Sequence, residues 1–315
     1  MLRKLMIVAV IALILPRFSN AQKLASSGRE FGITLGATSF YGDLGGANKI
    51  GRPLFWDLEL SMTKPVVGAM YRVNMTKYVG LRADLAWAML SGDDKLIQPR
   101  CTYCDEWYRK YRNLHFRTSI IELSGRVEVN LMRYQIGDRF RDNFTPYLFA
   151  GVGLFWFDPK ARNRTGNYWV RLRPLGTEGQ GLPQYPDRKK YSPVQICLPT
   201  GVGFKFNVNS RWTIGFEYGH RFTFTDYIDD VSKTYVDPDI FRASLSPGQA
   251  ATTIDFANRS DIINALDPLN DTSYITAKNQ QRGDPTDFDS YAFSGVVTIT
   301  YTLKTGKIIC PTFSR

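Results

Sequence analysis

Residues 66–89 read VVGAMYRVN-MTK-YVGLRADLAWAM, which is two alternating runs joined by a very short polar link. In the second run one face carries Val79, Leu81, Ala83, Leu85, Trp87 and Met89. The other face carries Gly80, Arg82, Asp84, Ala86 and Ala88. Because successive side chains of a β-strand point to opposite faces, the pattern predicts strands with one apolar and one charged or small face. Each run is long enough to cross a bilayer as a tilted strand, which needs about 9–11 residues.

The same alternation recurs along the chain and predicts about eight strands, with ten as an upper estimate. These strands cover residues 30–38, 66–74, 79–89, 119–131, 146–157, 195–207, 212–222 and 291–303. Residues 54–62 also alternate, and they fit either an extra strand or a loop element. The run at 146–157 is apolar on both faces, so the pattern leaves its orientation open.

The connections between these strands alternate in length. The long ones include residues 90–117, 158–190 and 223–290, a moderate one covers 132–144, and the short ones cover 74–77 and 208–210. Outer-membrane barrels have short periplasmic turns and longer extracellular loops. The sequence therefore predicts an all-β fold, a closed antiparallel transmembrane β-barrel with both termini in the periplasm.

The N-terminus has the pattern of an export signal. Arg3 and Lys4 precede an unbroken apolar run at residues 5–15, and Ser19-Asn20-Ala21 forms a small-x-small cleavage site before Gln22. We therefore expect a signal peptide at residues 1–21 and a barrel domain at residues 22–315. After residue 22 no run approaches the roughly 20 apolar residues of a transmembrane helix.

Alternation alone does not say which face of the strands is buried. A soluble barrel such as a lipocalin turns its apolar face inward, whereas a membrane barrel turns it outward to lipid. The export signal favours the membrane, and so do aromatic residues at strand ends, where interfacial girdles lie: Tyr78, Trp87, Trp212, Phe222, Tyr291 and Tyr301. Charges of both signs on the opposite faces fit an ion-paired lumen: Arg82, Asp84, Glu122, Arg126, Glu128, Lys205, Glu217 and Arg221.

The composition narrows the range of partners. A chain with 43% apolar and 14% aromatic residues is not low-complexity disorder. Its net charge of +11 fits contact with anionic lipid headgroups or an acidic partner, and equally fits a solvated basic surface. We expect outer-membrane lipid, including lipopolysaccharide, around the barrel and no nucleic-acid partner.

Catalysis is not expected. His115 and His220 are the only histidines, and a Ser/His/acid hydrolase would need one of them beside a nucleophile. His220 follows the apolar register of Phe216 and Tyr218, which suits an interfacial aromatic better than a base. His115 lies where a loop returns to a strand, with no nucleophile motif near it. We predict no catalytic residues and no enzyme.

Two groups of residues resemble metal ligands only weakly. Cys101 and Cys104 have CxxC spacing, and with Cys197 or His115 they could form a metal site. The simpler interpretation is a short loop disulfide or two unpaired thiols. Carboxylates cluster beyond one strand and suit calcium in type but not in spacing: Asp226, Asp229, Asp230, Asp237 and Asp239. A solvated loop is favoured, with Thr225 capping a helix from Asp226. We expect no metal and no cofactor, and the states of Cys101, Cys104, Cys197 and Cys310 stay open.

Several blocks resemble the PorG-like family of outer-membrane β-barrels. The most specific are TPYLFAGVGLFWFDPKA at residues 145–161 and the long block at residues 174–237. Earlier blocks agree, namely YGDLGG at 41–46, KPVVGAMYRVN at 64–74 and RNLHFRTSIIELSGRVEVN at 112–130. The resemblance covers most of the chain beyond residue 22.

The resemblance implies a part in the type IX secretion system. There, PorG-like proteins are linked to a periplasmic ring formed by a lipoprotein and its partner, so the barrel is expected to anchor that ring. The surfaces able to touch it are the predicted periplasmic turns at 74–77, 132–144 and 208–210 and the tail at 304–315. The alternative is a general structural or small-solute barrel without a secretion partner.

Overall fold

The structure, a computed structural model, describes residues 28–44, 62–97, 106–136, 142–260 and 280–303. Its ten strands are β1 (Arg29–Tyr41), β2 (Lys64–Asn74), β3 (Val79–Asp93), β4 (His115–Asn130), β5 (Phe144–Phe157), β6 (Lys160–Arg162), β7 (Trp169–Arg171), β8 (Val194–Asn207), β9 (Trp212–Thr223) and β10 (Ser290–Leu303). The predicted signal peptide, residues 54–61, Cys101, Cys104, Cys310 and the tail at 304–315 lie outside the described residues.

Eight long strands form a closed antiparallel barrel, which confirms the predicted fold. Their order is β3-β2-β1-β10-β9-β8-β5-β4, and β4 returns to pair with β3. The first and last strands meet at a seam in which Phe31 lies opposite Tyr301. The remaining two strands, β6 and β7, form a short hairpin on the end of β4, where Arg117 pairs with Lys160. The sequence pattern assigned that hairpin to a loop.

The apolar face of each long strand points outward. Leu85, Leu123 and Val152 are all more than half exposed on the barrel wall, whereas the charged faces of the same strands are buried inside. The structure also decides the orientation of β5. Its outward residues are Leu148, Val152, Leu154 and Trp156, and its inward residues are Tyr147, Phe149, Phe155 and Phe157.

The described parts of the long connections carry one 3-10 turn and three short helices. The turn is Asp94–Leu96, and the helices are α1 (Glu106–Arg112), α2 (Pro238–Ser244) and α3 (Pro247–Ala257). Asp237 caps α2 by accepting the Asp239 backbone N–H at 3.0 Å, and a proline begins the helix. None of the helices in the described ranges is long and apolar enough to cross a membrane.

The barrel interior has two layers. Near the short turns it is filled by charged side chains. Near the long loops it is apolar, with Phe116, Phe155 and Phe157 in one buried cluster. Ile228 and Val231 from the loop after β9 belong to the same cluster, so this loop closes over the barrel end.

The outward position of Val152 allows a direct test of the lipid-facing wall. Val152 lies near mid-strand and is 57% exposed, and Val208 lies in a short turn and is 54% exposed. An arginine on the lipid face costs about 2–4 kcal/mol at the bilayer midplane and about 0–1 near the interface. In vesicles we expect Val152→Arg to lower the free energy of unfolding by about 2–4 kcal/mol and Val208→Arg to change it little. Equal effects in urea titrations of the two variants would contradict a lipid-facing wall, since the exposed fractions match.

Candidate functional site: the charged lumen and the loop cap

Glu128 on β4 is the centre of the charged lumen. Its carboxylate accepts from Arg72 Nε at 2.9 Å and from Lys205 Nζ at 2.8 Å, and it lies 3.5 Å from Arg82 Nη1. These cations come from β2, β8 and β3, which lie around the barrel from β4. One carboxylate therefore holds together strands from several sides of the lumen.

A second carboxylate pair continues the network toward mid-barrel. Asp84 lies 2.7 Å from Arg82 Nη2 and 2.7 Å from Arg126 Nη2. Glu217 on β9 forms ion pairs with the same two arginines, and the Tyr147 hydroxyl donates to it at 2.6 Å. The arginines thus bridge two carboxylates across the lumen, an arrangement that suits the planar guanidinium group.

The network is balanced in charge. Glu30 pairs with Arg72 at 3.2 Å and accepts from Asn74 and Thr300, and Glu122 pairs with Arg221 at 3.2 Å and accepts from the Tyr291 hydroxyl. Among the described residues, the lumen therefore contains five cations, Arg72, Arg82, Arg126, Lys205 and Arg221, and five carboxylates, Glu30, Asp84, Glu122, Glu128 and Glu217. All eight charged residues predicted from the alternation face the lumen, and Glu30 and Arg72 join them.

Little open space remains in the described part of the lumen. The gap lined by Asp84, Glu122, Arg126, Glu217 and Arg221 has room for about one water molecule. At the short-turn end, Tyr134 folds inward, and its hydroxyl donates to Asn207 at 2.6 Å. The segment after β4 therefore covers that end of the barrel.

At the other end, the long loops pack together into a loop cap, defined here as residues 42–44, 94–97, 109–114, 172–191, 225–260 and 280–289. Arg112 pairs with Asp94 at 2.8 Å and donates to the Arg282 carbonyl at 2.8 Å. Arg282 in turn pairs with Glu178 at 2.9 Å. These three contacts join the β3–β4, β5–β8 and β9–β10 connections.

Stacked rings connect the loop cap to the barrel. Tyr191 stacks on Phe157 of β5 with centroids 5.8 Å apart and on Tyr227 at 4.9 Å. Its hydroxyl donates to Asp230 at 2.7 Å. Burial raises the pKa of the Asp230 carboxyl to about 6.

The aspartates beyond β9 are buried, so the expectation of a solvated loop is wrong for Asp226, Asp229 and Asp230. Asp229 accepts the backbone N–H groups of Leu44 at 2.9 Å and Val231 at 3.0 Å. Its neighbour Asp289 accepts the Ile228 N–H at 2.7 Å. No helix begins at Asp226; Thr225 instead accepts the Tyr227 N–H in a tight turn.

Crowding of these carboxyls favours their neutral forms. Burial raises the pKa of Asp226 to about 9, and burial with the nearby Asp229 raises the pKa of Asp289 well above its usual range. Within the described residues, no three His, Cys, Asp or Glu side chains converge as a metal site. Among these buried acids, Asp229 and Asp289 bind backbone amides.

The other residues considered from the sequence are spread over the molecule. His220 faces outward between the rings of Tyr41 and Phe222, as the alternation indicated. His115 accepts the Arg162 backbone N–H at 2.9 Å through Nε2. Cys197 is a buried free thiol within the apolar cluster. The contacts among the loop-cap residues Asp43, Arg112, Glu178 and Arg282 gave no sequence signal, because the four residues lie in four different loops.

The Glu128 contacts predict a large stability effect. In Glu128→Gln, Arg72, Arg82 and Lys205 keep their burial and lose a counter-charge. Breaking a buried pair from one side costs about 3–5 kcal/mol. We expect a drop of this size in the free energy of unfolding, measured by urea titration in detergent, and almost none for the exposed control Asp287→Asn. Equal stability of the two variants would contradict a lumen held by these pairs.

The buried carboxyls predict that alkali loosens the loop cap. Because the pKa of Asp226 is raised to about 9, its stabilising effect is complete below about pH 4 and is lost as pH rises through about 9. Opening of the loop cap should release about one proton from Asp226 in this pH range. We expect Asp226→Asn to remove that proton from the pH dependence of the opening free energy. This pH dependence is measured by hydrogen exchange at the Leu44 and Ile228 amides between pH 6 and 9.5, corrected for intrinsic exchange rates. The exposed control Asp187→Asn should keep the wild-type slope, and a wild-type slope in Asp226→Asn would refute the expectation.

Comparison with known proteins found a matching family model and several similar solved structures. A family model described as "Outer membrane protein beta-barrel domain" matches residues 6–246. Among solved structures, the chain is similar to the N-terminal β-barrel domain of Pseudomonas aeruginosa OprF, with 7% identity, a TM-score of 0.32 and coverage of 88% of this chain and 100% of that one. The Neisserial surface protein A matches at 8% identity and a TM-score of 0.35, covering 88% and 97% of the two chains.

A further match is Ail of Yersinia pestis, solved with the heparin analogue sucrose octasulfate, at 8% identity and a TM-score of 0.33, covering 88% and 99% of the two chains. No curated protein matches the chain in sequence. The family model covers well over half of the chain, and the fold is the closed barrel that it describes. The chain therefore belongs to the outer membrane protein beta-barrel domain family and is an integral outer-membrane β-barrel.

Proposed function

We propose that this barrel is a non-enzymatic component of a type IX protein secretion machinery, of the PorG-like kind, and that it anchors a periplasmic ring to the outer membrane. In this proposal an export signal at residues 1–21 is removed and the barrel domain begins at residue 22. The short turns and both termini lie in the periplasm, where the ring lipoprotein and its partner contact them.

The filled lumen is the observation that supports this role best. Ten paired charges occupy the polar layer, and the gap lined by Asp84, Glu122, Arg126, Glu217 and Arg221 has room for about one water molecule. A barrel with such an interior has no wide path for solutes and acts through its surfaces. The small-solute alternative is therefore less well supported than an anchoring role.

Three of the blocks that resemble the PorG-like family meet in the loop cap. Asp43 lies in the block at 41–46, Arg112 begins the block at 112–130, and Glu178 and Asp229 lie in the block at 174–237. Arg112 donates to the Asp43 carbonyl at 2.5 Å, and Asp229 accepts the Leu44 N–H at 2.9 Å. Because these separate blocks contact one another, the resemblance describes one three-dimensional feature rather than scattered strand patterns.

The short-turn end offers a surface for a periplasmic partner. Arg133 follows β4 and Arg211 precedes β9, and both side chains are exposed there. Met132 and Val208 are about half exposed beside them. A cationic surface with apolar side chains fits a partner that presents carboxylates around an apolar contact.

An enzymatic role has less support. The described contacts of His115 are with the Arg162 backbone and the Trp169 ring, and His220 contacts aromatic rings on the outer wall. Neither arrangement places a nucleophilic hydroxyl on the imidazole, as acyl transfer requires. The residues are better explained by packing.

Affinity capture of the tagged chain from gently solubilised outer membranes tests the proposal. We expect wild type to recover the ring lipoprotein and its partner. Arg133→Glu/Arg211→Glu should lower that recovery at least about tenfold, because like charges facing an acidic partner cost several kcal/mol. The control Lys189→Glu/Arg242→Glu makes the same charge change at the long-loop end and should recover the ring fully.

Recovery of the barrel alone, while the ring itself stays assembled, would refute the anchoring role. A heat-dependent gel shift of each variant shows that its barrel is folded. Stable channel openings of wild type in planar bilayers would favour the small-solute alternative and contradict a filled lumen.

A further inference from the structure

The β6–β7 hairpin extends the outer wall of β4 beyond the barrel. Arg117 pairs with Lys160, Lys160 with Arg171, and Arg162 with Trp169. Residues directly opposite in an antiparallel pair share a face, so these five side chains lie on one face. We call this face the hairpin patch: Arg117, Lys160, Arg162, Trp169 and Arg171.

Trp169 lies at the centre of the hairpin patch. The guanidinium carbons of Arg162 and Arg117 lie 5.1 Å and 5.6 Å from the centre of its ring system, and 37% of its surface remains exposed. Cation–π contacts at this distance hold the arginine side chains beside the ring. The patch is therefore an aromatic platform flanked by ordered cations.

The charge of the hairpin patch is only partly neutralised. Asp158 is its one close carboxylate in the described residues, 2.9 Å from Arg171 Nε and 3.6 Å from Lys160 Nζ. Among the residues that the structure describes, no carboxylate lies within ion-pair distance of Arg117 or Arg162. Asp93, opposite His115 at the edge, accepts the Lys95 N–H. Four cations against one carboxylate leave a clear positive excess.

The opposite face of the hairpin is packed, so the patch is held in place. Ala161 is buried with Leu172 and Phe256, and Val170 packs against the same cluster. Arg259 Nη2 also donates to the Arg162 carbonyl at 2.6 Å. The hairpin thus behaves as a fixed extension of the barrel wall.

The height of the patch on the wall identifies its surroundings. Trp87 and Trp156 flank Ile121 on the lipid-facing wall, at the level of an interfacial aromatic girdle. Arg117 lies four residues farther along β4, about 13 Å along the strand and about 10 Å higher at the usual tilt. Charged headgroups begin at the edge of the hydrocarbon and extend for several ångströms. The backbone of the patch therefore lies at the outer edge of the headgroup layer, and its long arginine and lysine side chains extend back to the headgroup phosphates.

We propose that the hairpin patch binds the phosphate groups of an anionic lipid in the adjoining leaflet. With the long loops outside, as in the orientation proposed above, that lipid is a phosphorylated glycolipid of the outer leaflet. Two features favour a lipid over a soluble polyanion: the patch continues the lipid-facing row of β4, and Trp169 adds the ring typical of interfacial positions. Arg117 and Arg162 contact the phosphates, and the girdle below contacts the acyl chains.

Native mass spectrometry of the full chain in mild detergent tests this site, with diphosphoryl lipid A and phosphatidylcholine as probes. We expect wild type to retain lipid A preferentially. Each cation near an anionic surface contributes about fivefold in affinity, so Arg117→Gln/Arg162→Gln should weaken retention about 25-fold. The control Lys189→Gln/Arg242→Gln removes two exposed charges outside the patch and should bind as wild type does.

Equal retention of both lipids by wild type, or equal loss in patch and control variants, would overturn the proposal. Inorganic phosphate and a soluble heparin fragment are added as competitors. Displacement of lipid A by the fragment at equal concentration would show a soluble-polyanion site instead. Ring capture with Arg117→Gln/Arg162→Gln should equal wild type, so failure of the lipid site and failure of the anchoring role give different results.

Discussion

Charge pairing inside the lumen is the constraint on which the barrel depends. Moving a charge out of water costs several kcal/mol unless partners replace the lost hydration. Here the replacement comes from the whole circumference: Glu30 on β1 pairs with Arg72 on β2, and Glu128 on β4 binds Lys205 on β8. Tyr147 of β5 and Thr300 of β10 complete the carboxylate contacts. Closing the sheet and satisfying these charges are therefore one event.

The two interior layers give the ends of the barrel different properties. The polar layer is sealed by Tyr134 at the short-turn end, where exposed arginines and apolar side chains face outward. The apolar layer receives the long loops, whose buried carboxyls hold backbone amides such as that of Leu44. The proposed anchoring role needs such a division, because one end must contact a partner while the remainder stays fixed in the membrane. Both ends of the barrel adjoin the same outer wall, which faces lipid.

The strands were predictable because lipid and lumen impose opposite chemistry on alternate residues. For β3 that rule places Leu85 outside and Asp84 inside, as observed. It failed to orient β5, whose inward Phe155 and Phe157 belong to the apolar layer and break the alternation. The loop cap was beyond sequence reasoning, since Arg112 and Arg282 are brought together only by the fold. Asp229 lies in a segment with the composition of a solvated loop, but partners from distant segments bury it.

The seam between β1 and β10 constrains how the molecule is made. Arg29 lies opposite Leu303, so the barrel closes only through a contact that spans nearly the whole described chain. Contacts between residues so far apart in sequence form slowly, because the intervening chain must lose conformational entropy before the contacts stabilise the fold. Until β10 arrives, β1 has an unpaired edge that could join another chain. In a newly exported molecule the edge of β1 therefore has to be shielded from other chains. Barrel formation then depends on the factor that binds the sheet before it closes.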